Sequence, residues 1–239
     1  MAVATHLVDH VHDGIGLESL LAFEPDAGPR PAVIIFHSFV GRSDNEAAAA
    51  LRLAEMGYVG VAADLYGKGV RGATPEESAA LMKPFMDDRA LLRRRMHHIL
   101  ETVRGLAEVD STRIAAIGFC FGGLCALDLA RSGADICGVA SFHGLLTPPP
   151  DSLAGAAIRA KLLVFHGWDD PLAPSADMVA LGQELSAAGA DWQVHAYGGT
   201  MHSFTNPKAA AAESGFLYNP AATARAWRSL EAYLNEIFA

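Results

Sequence analysis

The most informative stretch of the sequence is Arg113-Ile-Ala-Ala-Ile-Gly118-Phe119-Cys120-Phe121-Gly122-Gly123. An apolar run, a glycine-flanked turn and the start of an apolar helix follow one another, so the stretch predicts a strand, a tight turn and a helix. Its form, G-x-C-x-G-G, is that of the G-x-S-x-G nucleophile elbow with sulfur in place of oxygen. Such a turn strains the backbone of its central residue and needs small residues two positions away.

Outward from this stretch, short apolar runs alternate with longer helical patterns over the whole chain. Strands are predicted at 6–9, 16–23, 32–37, 58–63, 113–119, 138–143, 161–166 and 193–197, and helices at 45–56, 75–81, 89–106, 122–131, 175–188 and 221–237. The alanine-rich segment 209–212 also fits a helix. Alternation of this kind predicts an α/β fold with a mainly parallel central sheet flanked by helices on both faces, after an antiparallel start.

Composition limits the classes of function. The 239 residues, 51% hydrophobic and 19% charged, indicate one globular domain over 1–239. A formal charge of −9 disfavours nucleic acid and anionic membranes as partners. No apolar run approaches the roughly 20 residues that span a bilayer. The segment from Met1 to His10 has neither a basic start nor an apolar run, so we expect a cytoplasmic protein.

Cys120 is the predicted nucleophile. The elbow places it at the N-terminus of the next helix, where the helix dipole favours a thiolate. The backbone N–H of Phe121 would then point at a developing oxyanion. The competing interpretation is a buried, inert cysteine after an ordinary glycine turn. We interpret the other two cysteines, Cys125 and Cys137, as core residues, and the absence of a CxxC pair disfavours structural zinc.

A catalytic thiol needs a base, and the base needs an orienting acid. Asp170 lies in a proline-rich loop just after the strand 161–166, and Asp169 competes with it for the role of acid. His202 lies in a glycine-rich loop after the last strand. The chain order of nucleophile, acid and base is the one that this kind of elbow requires. Because each follows a strand, the three side chains can converge at one edge of the sheet.

Other histidines suggest an alternative. His37, His143 and His166 end predicted strands and could line the same edge, which leaves a metal-dependent hydrolase as a separate hypothesis. Such histidines are more often hydrogen-bonded structural residues, so we predict no metal. The adjacent His97 and His98 are expected on a charged helix surface.

With these motifs the chain resembles the dienelactone hydrolase family of α/β-hydrolases. The resemblance spans most of the chain and rests on five pieces: Phe36-His37-Ser38-Phe39-Val40-Gly41, Ala63-Asp64-Leu65-Tyr66-Gly67, Gly118-Phe119-Cys120-Phe121-Gly122-Gly123, His166-Gly167-Trp168-Asp169-Asp170 with Pro174, and His202-Ser203-Phe204. It implies the α/β-hydrolase fold, with Cys120 as nucleophile, Asp170 as orienting acid and His202 as base. The family's G-x-x-D spacing, with proline four residues later, selects Asp170 over Asp169.

The resemblance also implies a second oxyanion donor, the backbone N–H of Ser38 or Phe39, beside that of Phe121. Two positions depart from the family. Its archetypal members carry a glutamate where this chain has Ser38, and a carboxylate-binding arginine where it has Asn206 after Thr205. Candidate replacements for that arginine are Lys83, Arg89 and Arg71.

These observations together predict an esterase-type enzyme. We expect hydrolysis of a small ester, lactone or thioester through an acyl-enzyme, without cofactor or metal, by a monomer or homodimer that binds neither nucleic acid nor membrane. The substrate-binding residues stay unassigned. The alternative from another class is a non-catalytic or redox-sensing thiol protein on a hydrolase scaffold.

Overall fold

The computed structural model describes residues 2–150 and 157–239. Its strands are β1 (Ala4–His12), β2 (Ile15–Phe23), β3 (Arg30–Phe36), β4 (Val59–Ala62), β5 (Val109–Phe119), β6 (Gly138–Phe142), β7 (Lys161–Gly167), β8 (Trp192–Tyr197), β9 (Ala210–Ala211) and β10 (Phe216–Leu217). Its helices are α1 (Asp44–Glu55), α2 (Pro75–Asp87), α3 (Arg89–Arg104), α4 (Phe121–Arg131), α5 (Ser175–Ala187) and α6 (Pro220–Ile237). All the predicted strands, and the helices predicted at 45–56 through 221–237, are therefore found.

The chain divides into two compact units, Met1–Ile117 and Gly118–Ala239. In the first unit the strands follow the order β1-β2-β4-β3-β5. β1 and β2 form an antiparallel hairpin in which Leu7 faces Leu20, which confirms the predicted antiparallel start. β2 is also antiparallel to β4, whereas β3 and β4 are parallel, with Ile34 beside Val61.

In the second unit the order continues from the end of β5 as β5-β6-β7-β8. β6, β7 and β8 are parallel, and Phe142, Phe165 and His195 lie in register across them. Because parallel strands carry their carboxyl ends to the same edge, the residues that follow β6 and β7 lie side by side. The prediction of a single domain over 1–239 stays a prediction.

Helices cover the sheet of each unit. All residues of β4 and β6 are buried, and successive side chains of a strand point to opposite faces, so both faces of these strands are covered. In the first unit α1 packs on β2, β3 and β4 while α3 packs on β1 and β3; in the second α4 packs on β6 and α6 on β7. This confirms the predicted fold class, a mainly parallel central sheet flanked by helices.

Local sequence sets where the helices begin. Ser43 and Glu46 form a reciprocal capping box at α1, and the Thr74 side chain accepts a hydrogen bond from Glu77 N at the start of α2. Proline is the first residue of α2 and of α6, where its missing N–H costs no helical hydrogen bond. The capping residues therefore set the first residue of each of these helices.

Two predicted elements differ from the observed ones. The helix predicted at 75–81 continues as α2 to Asp87 and contains Pro84. The predicted helix at 209–212 is wrong: the segment forms strand β9 and a short 3-10 turn, and β9 pairs with β10. A run of four alanines is too short to offset the cost of helix nucleation, so backbone pairing with β10 decides its conformation.

None of the helices in the described part of the chain has the length and apolarity that crossing a membrane requires.

Candidate active site

Cys120 lies at a strained turn between β5 and α4. Its backbone has φ 57° and ψ −117°, a conformation that costs free energy for a residue with a Cβ. Two hydrogen bonds hold it there: Cys120 N donates to Phe142 O at 3.0 Å, and Cys120 O accepts from Gly123 N at 2.9 Å. The turn is therefore the strand–elbow–helix predicted from the sequence, with Cys120 directly before the first residue of α4.

The glycines around Cys120 are required by close backbone approach. A Cβ on Gly118 would lie 1.9 Å from Gly122 O. A Cβ on Gly123 would lie 2.6 Å from Ser141 Oγ and 2.7 Å from Gly144 Cα, in the segment around the end of β6. Real Cβ atoms do not come so close to other heavy atoms, so sterics explain why positions 118 and 123 are glycine.

Asp170 and His202 form a buried pair in the same unit. The Asp170 Oδ2 atom lies 2.7 Å from His202 Nδ1, and both side chains are shielded from solvent. Asp170 Oδ1 accepts a second hydrogen bond from Leu172 N at 2.8 Å. Asp169, its competitor for this role, is exposed. The structure thus brings Asp170, not Asp169, to His202.

A segment that sequence reasoning missed holds the backbone of His202. His202 N donates to Gly215 O at 2.9 Å, and Leu217 N donates to His202 O at 3.2 Å. The ring of Phe216, in β10, contacts the His202 ring with centroids 5.3 Å apart. Gly215 also packs against Pro171, since a Cβ on it would lie 2.2 Å from Pro171 Cγ. Gly215 and β10 therefore hold His202 beside the loop that carries Asp170.

The electrostatics of the second unit favour an imidazolium at His202. Burial by itself lowers the pKa of His202, but the negative charge of Cys120 and then the hydrogen-bonded Asp170 carboxylate raise this pKa to about 10. The His202 Nε2 atom is buried. The Cys120 side chain lies close enough to the His202 ring to raise its pKa.

Two further buried histidines lie near the pair. His143 follows β6, and its ring contacts the His202 ring edge-on, with centroids 5.2 Å apart. Burial, and secondarily the charge of His202, hold the pKa of His143 well below its usual value. His166 is the next-to-last residue of β7, and burial lowers its pKa as well. In each of these two rings burial favours the neutral form.

In the first unit the strand-end loops are tied together by His37. Its Nδ1 donates to Ser38 O at 2.6 Å, and its Nε2 accepts from Leu65 N at 3.2 Å. Burial lowers the pKa of His37, which agrees with a neutral ring that donates once and accepts once. The predicted oxyanion donor Ser38 N donates to Glu46 Oε1 at 3.4 Å. Phe39, the other candidate, accepts the Tyr66 hydroxyl at its carbonyl, 3.1 Å away.

The residues at the place of the family's arginine are engaged locally. The side chain of Asn206 accepts a hydrogen bond from Lys208 N at 3.0 Å, and Thr205 Oγ1 lies 2.7 Å from His143 Nε2. In the first unit Lys83 forms an exposed ion pair with Asp87 at 2.5 Å. Neither Thr205 nor Asn206 carries a positive charge, so this loop offers no counterpart to a bidentate arginine.

In the residues that the structure describes, no group of three or more His, Cys, Asp or Glu side chains is arranged to hold a metal ion.

Fold and geometry define this protein as an α/β-hydrolase, and comparison with known proteins gives the family. The profile of the dienelactone hydrolase family matches residues 17–238, so the chain belongs to that family. The family and the carboxymethylenebutenolidases among its relatives indicate a carboxylic ester hydrolase.

Three relatives match almost their whole length. A putative carboxymethylenebutenolidase from Synechocystis is 26% identical, with 96% of this chain and 95% of the relative covered. A probable 2-oxo-3-(5-oxofuran-2-ylidene)propanoate lactonase from Bradyrhizobium is 28% identical, with 98% and 96% covered. The crystal structure of a dienelactone hydrolase-like promiscuous phosphotriesterase from metagenomic libraries superimposes with a TM-score of 0.93 at 35% identity, covering 100% of both chains.

Proposed function

We propose that the protein hydrolyses small esters, lactones or thioesters through a Cys120–His202–Asp170 triad and an acyl-enzyme intermediate. The observation that carries this proposal is the buried 2.7 Å contact between Asp170 and His202 in the unit whose elbow presents Cys120. An orienting acid, a base and a nucleophile at a strained turn are the parts that covalent acyl transfer needs.

In the first half-reaction the Cys120 thiolate attacks the carbonyl carbon. A C–S bond forms, and the carbonyl π electrons move to oxygen, where the Phe121 N–H stabilises the charge. The second N–H is assigned from the sequence to Ser38 or Phe39. When the tetrahedral intermediate collapses, the C–O or C–S bond to the leaving group breaks, and His202 gives its proton to that group.

The second half-reaction releases the acid. Neutral His202 takes a proton from water while the water oxygen attacks the thioester carbonyl, and the Cys120–acyl bond then breaks. The carboxylic acid leaves, and the thiolate–imidazolium pair is restored. Asp170 keeps the His202 ring in the tautomer and orientation that both proton transfers require. Because a thiolate is a good leaving group, strained lactones and thioesters suit this nucleophile better than ordinary alkyl esters.

The charge around the base argues for a neutral substrate. Thr205 and Asn206 stand where the archetypal family members carry an arginine, and both use their side chains in local hydrogen bonds. A substrate carboxylate would find no bidentate partner in this loop. We therefore expect uncharged esters and lactones to be turned over faster than carboxylated dienelactones.

A second candidate activity is phosphotriester hydrolysis. It rests on the 35% identity, over both full lengths, to the promiscuous phosphotriesterase. Phosphotriesters are uncharged, which agrees with the lack of an arginine at Asn206. Release of p-nitrophenol from diethyl p-nitrophenyl phosphate, lost on Cys120→Ala, would support this activity; no release at enzyme concentrations that turn over carboxylic esters would remove it.

The proposal is tested with p-nitrophenyl acetate and butyrate before and after treatment with iodoacetamide. Wild-type turnover should be lost after alkylation, and Cys120→Ala should lose it without a change in melting temperature. Cys137→Ala is the matched control and should keep its turnover. Wild-type turnover that survives in Cys120→Ala would overturn the triad. Rapid labelling of Cys120 without turnover of any ester, lactone or thioester would favour the redox-sensing alternative.

Three narrower expectations accompany this proposal. A cytoplasmic location is expected, and cell fractionation checks it. We expect a monomer or homodimer, which size-exclusion chromatography with light scattering distinguishes. Turnover that is unchanged by a chelator would remove the metal-dependent hypothesis built on His37, His143 and His166.

A further inference from the structure

His143 is a buried histidine for which the proposed reaction has no use. It follows β6 with φ 39°, in the left-handed region that residues other than glycine seldom adopt. His143 N donates to Phe165 O at 2.8 Å, which holds this conformation against the end of β7. Unfavourable backbone geometry that the surrounding structure maintains is concentrated at functional sites.

The His143 side chain contacts the predicted base and the loop that follows it. Its ring meets the His202 ring at 67° and the Phe204 ring at 80°, with centroids 5.2 Å apart in each case. Its Nε2 atom lies 2.7 Å from Thr205 Oγ1. The His143 side chain thus contacts the edge of the His202 ring and is hydrogen-bonded to the side chain of Thr205, three residues further along.

Only one of the two neighbouring rings has a partner for positive charge. His202 is bonded to Asp170 and lies near Cys120, whereas His143 contacts a hydroxyl and aromatic rings. His166 is the other titratable ring beside this group, and it too is buried. The Nε2 atom of His143 and the Thr205 hydroxyl share one hydrogen bond, whose direction follows the tautomer of the ring. The His143 Nδ1 atom is buried and has no partner among the described residues.

We propose that His143 and Thr205 form a positioning pair that holds the His202 ring in place beside Cys120. This inference rests on the proposed function. The pair acts through His202 and has no contact with the reacting atoms. Its loss should loosen the loop after His202 and weaken the thiolate–imidazolium pair, while substrate binding changes little.

The test uses Thr205→Val, which keeps the shape and removes the hydroxyl, and His143→Phe, which keeps a ring and removes the nitrogen that is hydrogen-bonded to Thr205. Thr205→Ser restores a hydroxyl and should rescue. His195→Phe is the matched control, because His195 contacts the Phe165 ring rather than His202. The two readouts are the pH dependence of Cys120 alkylation by iodoacetamide, followed by mass spectrometry, and the separate kcat and KM for p-nitrophenyl acetate.

We expect Thr205→Val and His143→Phe to lower kcat about 10- to 100-fold with KM changed less than about threefold, as a small misplacement of a catalytic group does. Both should also move the alkylation profile to higher pH, since a displaced His202 stabilises the thiolate less. Thr205→Ser and His195→Phe should keep the wild-type profile. If His143→Phe does not fold, Thr205→Val and Thr205→Ser still carry the test.

The inference is overturned if Thr205→Val and His143→Phe lower the melting temperature but keep the wild-type alkylation profile and kcat. Failure of the proposed function is a different result. In that case wild-type Cys120 itself would react no faster than an unactivated thiol, and no variant would change its profile.

Discussion

Two buried or half-buried histidines, His10 in the first unit and His202 in the second, have pKa values shifted in opposite directions. In the first unit His10 Nδ1 lies 3.0 Å from His98 Nε2, and His10 Nε2 lies 3.1 Å from Ser19 Oγ. Burial, followed by the charge of His98, lowers the pKa of His10 to about 4. In the second unit His202 is more deeply buried, yet its pKa is raised to about 10.

The difference lies in the partner rather than in burial. Burial disfavours the charged form of either ring, and a second histidine or a hydroxyl does nothing to compensate. The Asp170 carboxylate and a negative charge on Cys120 do compensate, so of these two rings only His202 favours the protonated form. The charge of its neighbours therefore determines which protonation state a buried histidine favours. The predictions below change these histidines or their neighbours.

The largest effect is expected from Asp170→Asn. The substitution keeps the size of the side chain, removes its charge and turns the His202 tautomer, so kcat/KM for p-nitrophenyl acetate should fall about 10⁴-fold, as in other triads that lose their acid. Asp169→Asn removes a charge from the neighbouring exposed position and should change kcat/KM less than about twofold. If the two variants behave alike, the assignment of the acid to Asp170 is wrong.

A smaller effect, on the pKa of His202, is expected from Cys120→Ala in addition to its loss of turnover. Removing the thiolate takes away the first of the charges that raise the pKa of His202, so this pKa should fall from about 10 while Asp170 stays in place. NMR titration of the His202 ring measures the change, and Cys125→Ala is the control on the same helix. An unchanged His202 titration in Cys120→Ala would mean that the sulfur and the ring do not interact.

The smallest effect is expected on stability in acid. Because the folded-state pKa of His10 is lowered to about 4 from 6.5, the unfolded chain binds its proton at a higher pH than the folded chain. Stability from this group is fully present above about pH 6.5 and is lost as the pH falls toward 4. His10→Gln should therefore lose less melting temperature than wild type between pH 7 and 4. The exposed His6 lies on the same strand, and His6→Gln should behave as wild type; a wild-type acid profile in His10→Gln would contradict this account.

The histidines also mark where sequence reasoning ended. His98 was expected on a charged helix surface, which is wrong, because its ring packs against those of His10 and His12. Contacts between β1 and α3 join residues about 90 positions apart in the sequence, and periodicity along one helix carries no information about them. The pairing of β10 with His202 and the bond between His143 and Thr205 were missed for the same reason.

The features that could be predicted from the sequence alone are local ones or ones that follow from the order of residues along the chain. The elbow at Cys120 follows from glycines that close backbone approach demands, and the strands follow from apolar runs whose two faces are both covered. The order of Cys120, an aspartate at 169 or 170 and His202, each after a strand, predicted that one of these two aspartates would pair with His202. Only the tertiary structure separated Asp170 from Asp169 without appeal to a family, since burial and the hydrogen bond to His202 belong to one of them. The charge of each histidine was likewise decided in three dimensions, because a pKa depends on neighbours that the fold, and not the chain, brings within a few ångströms.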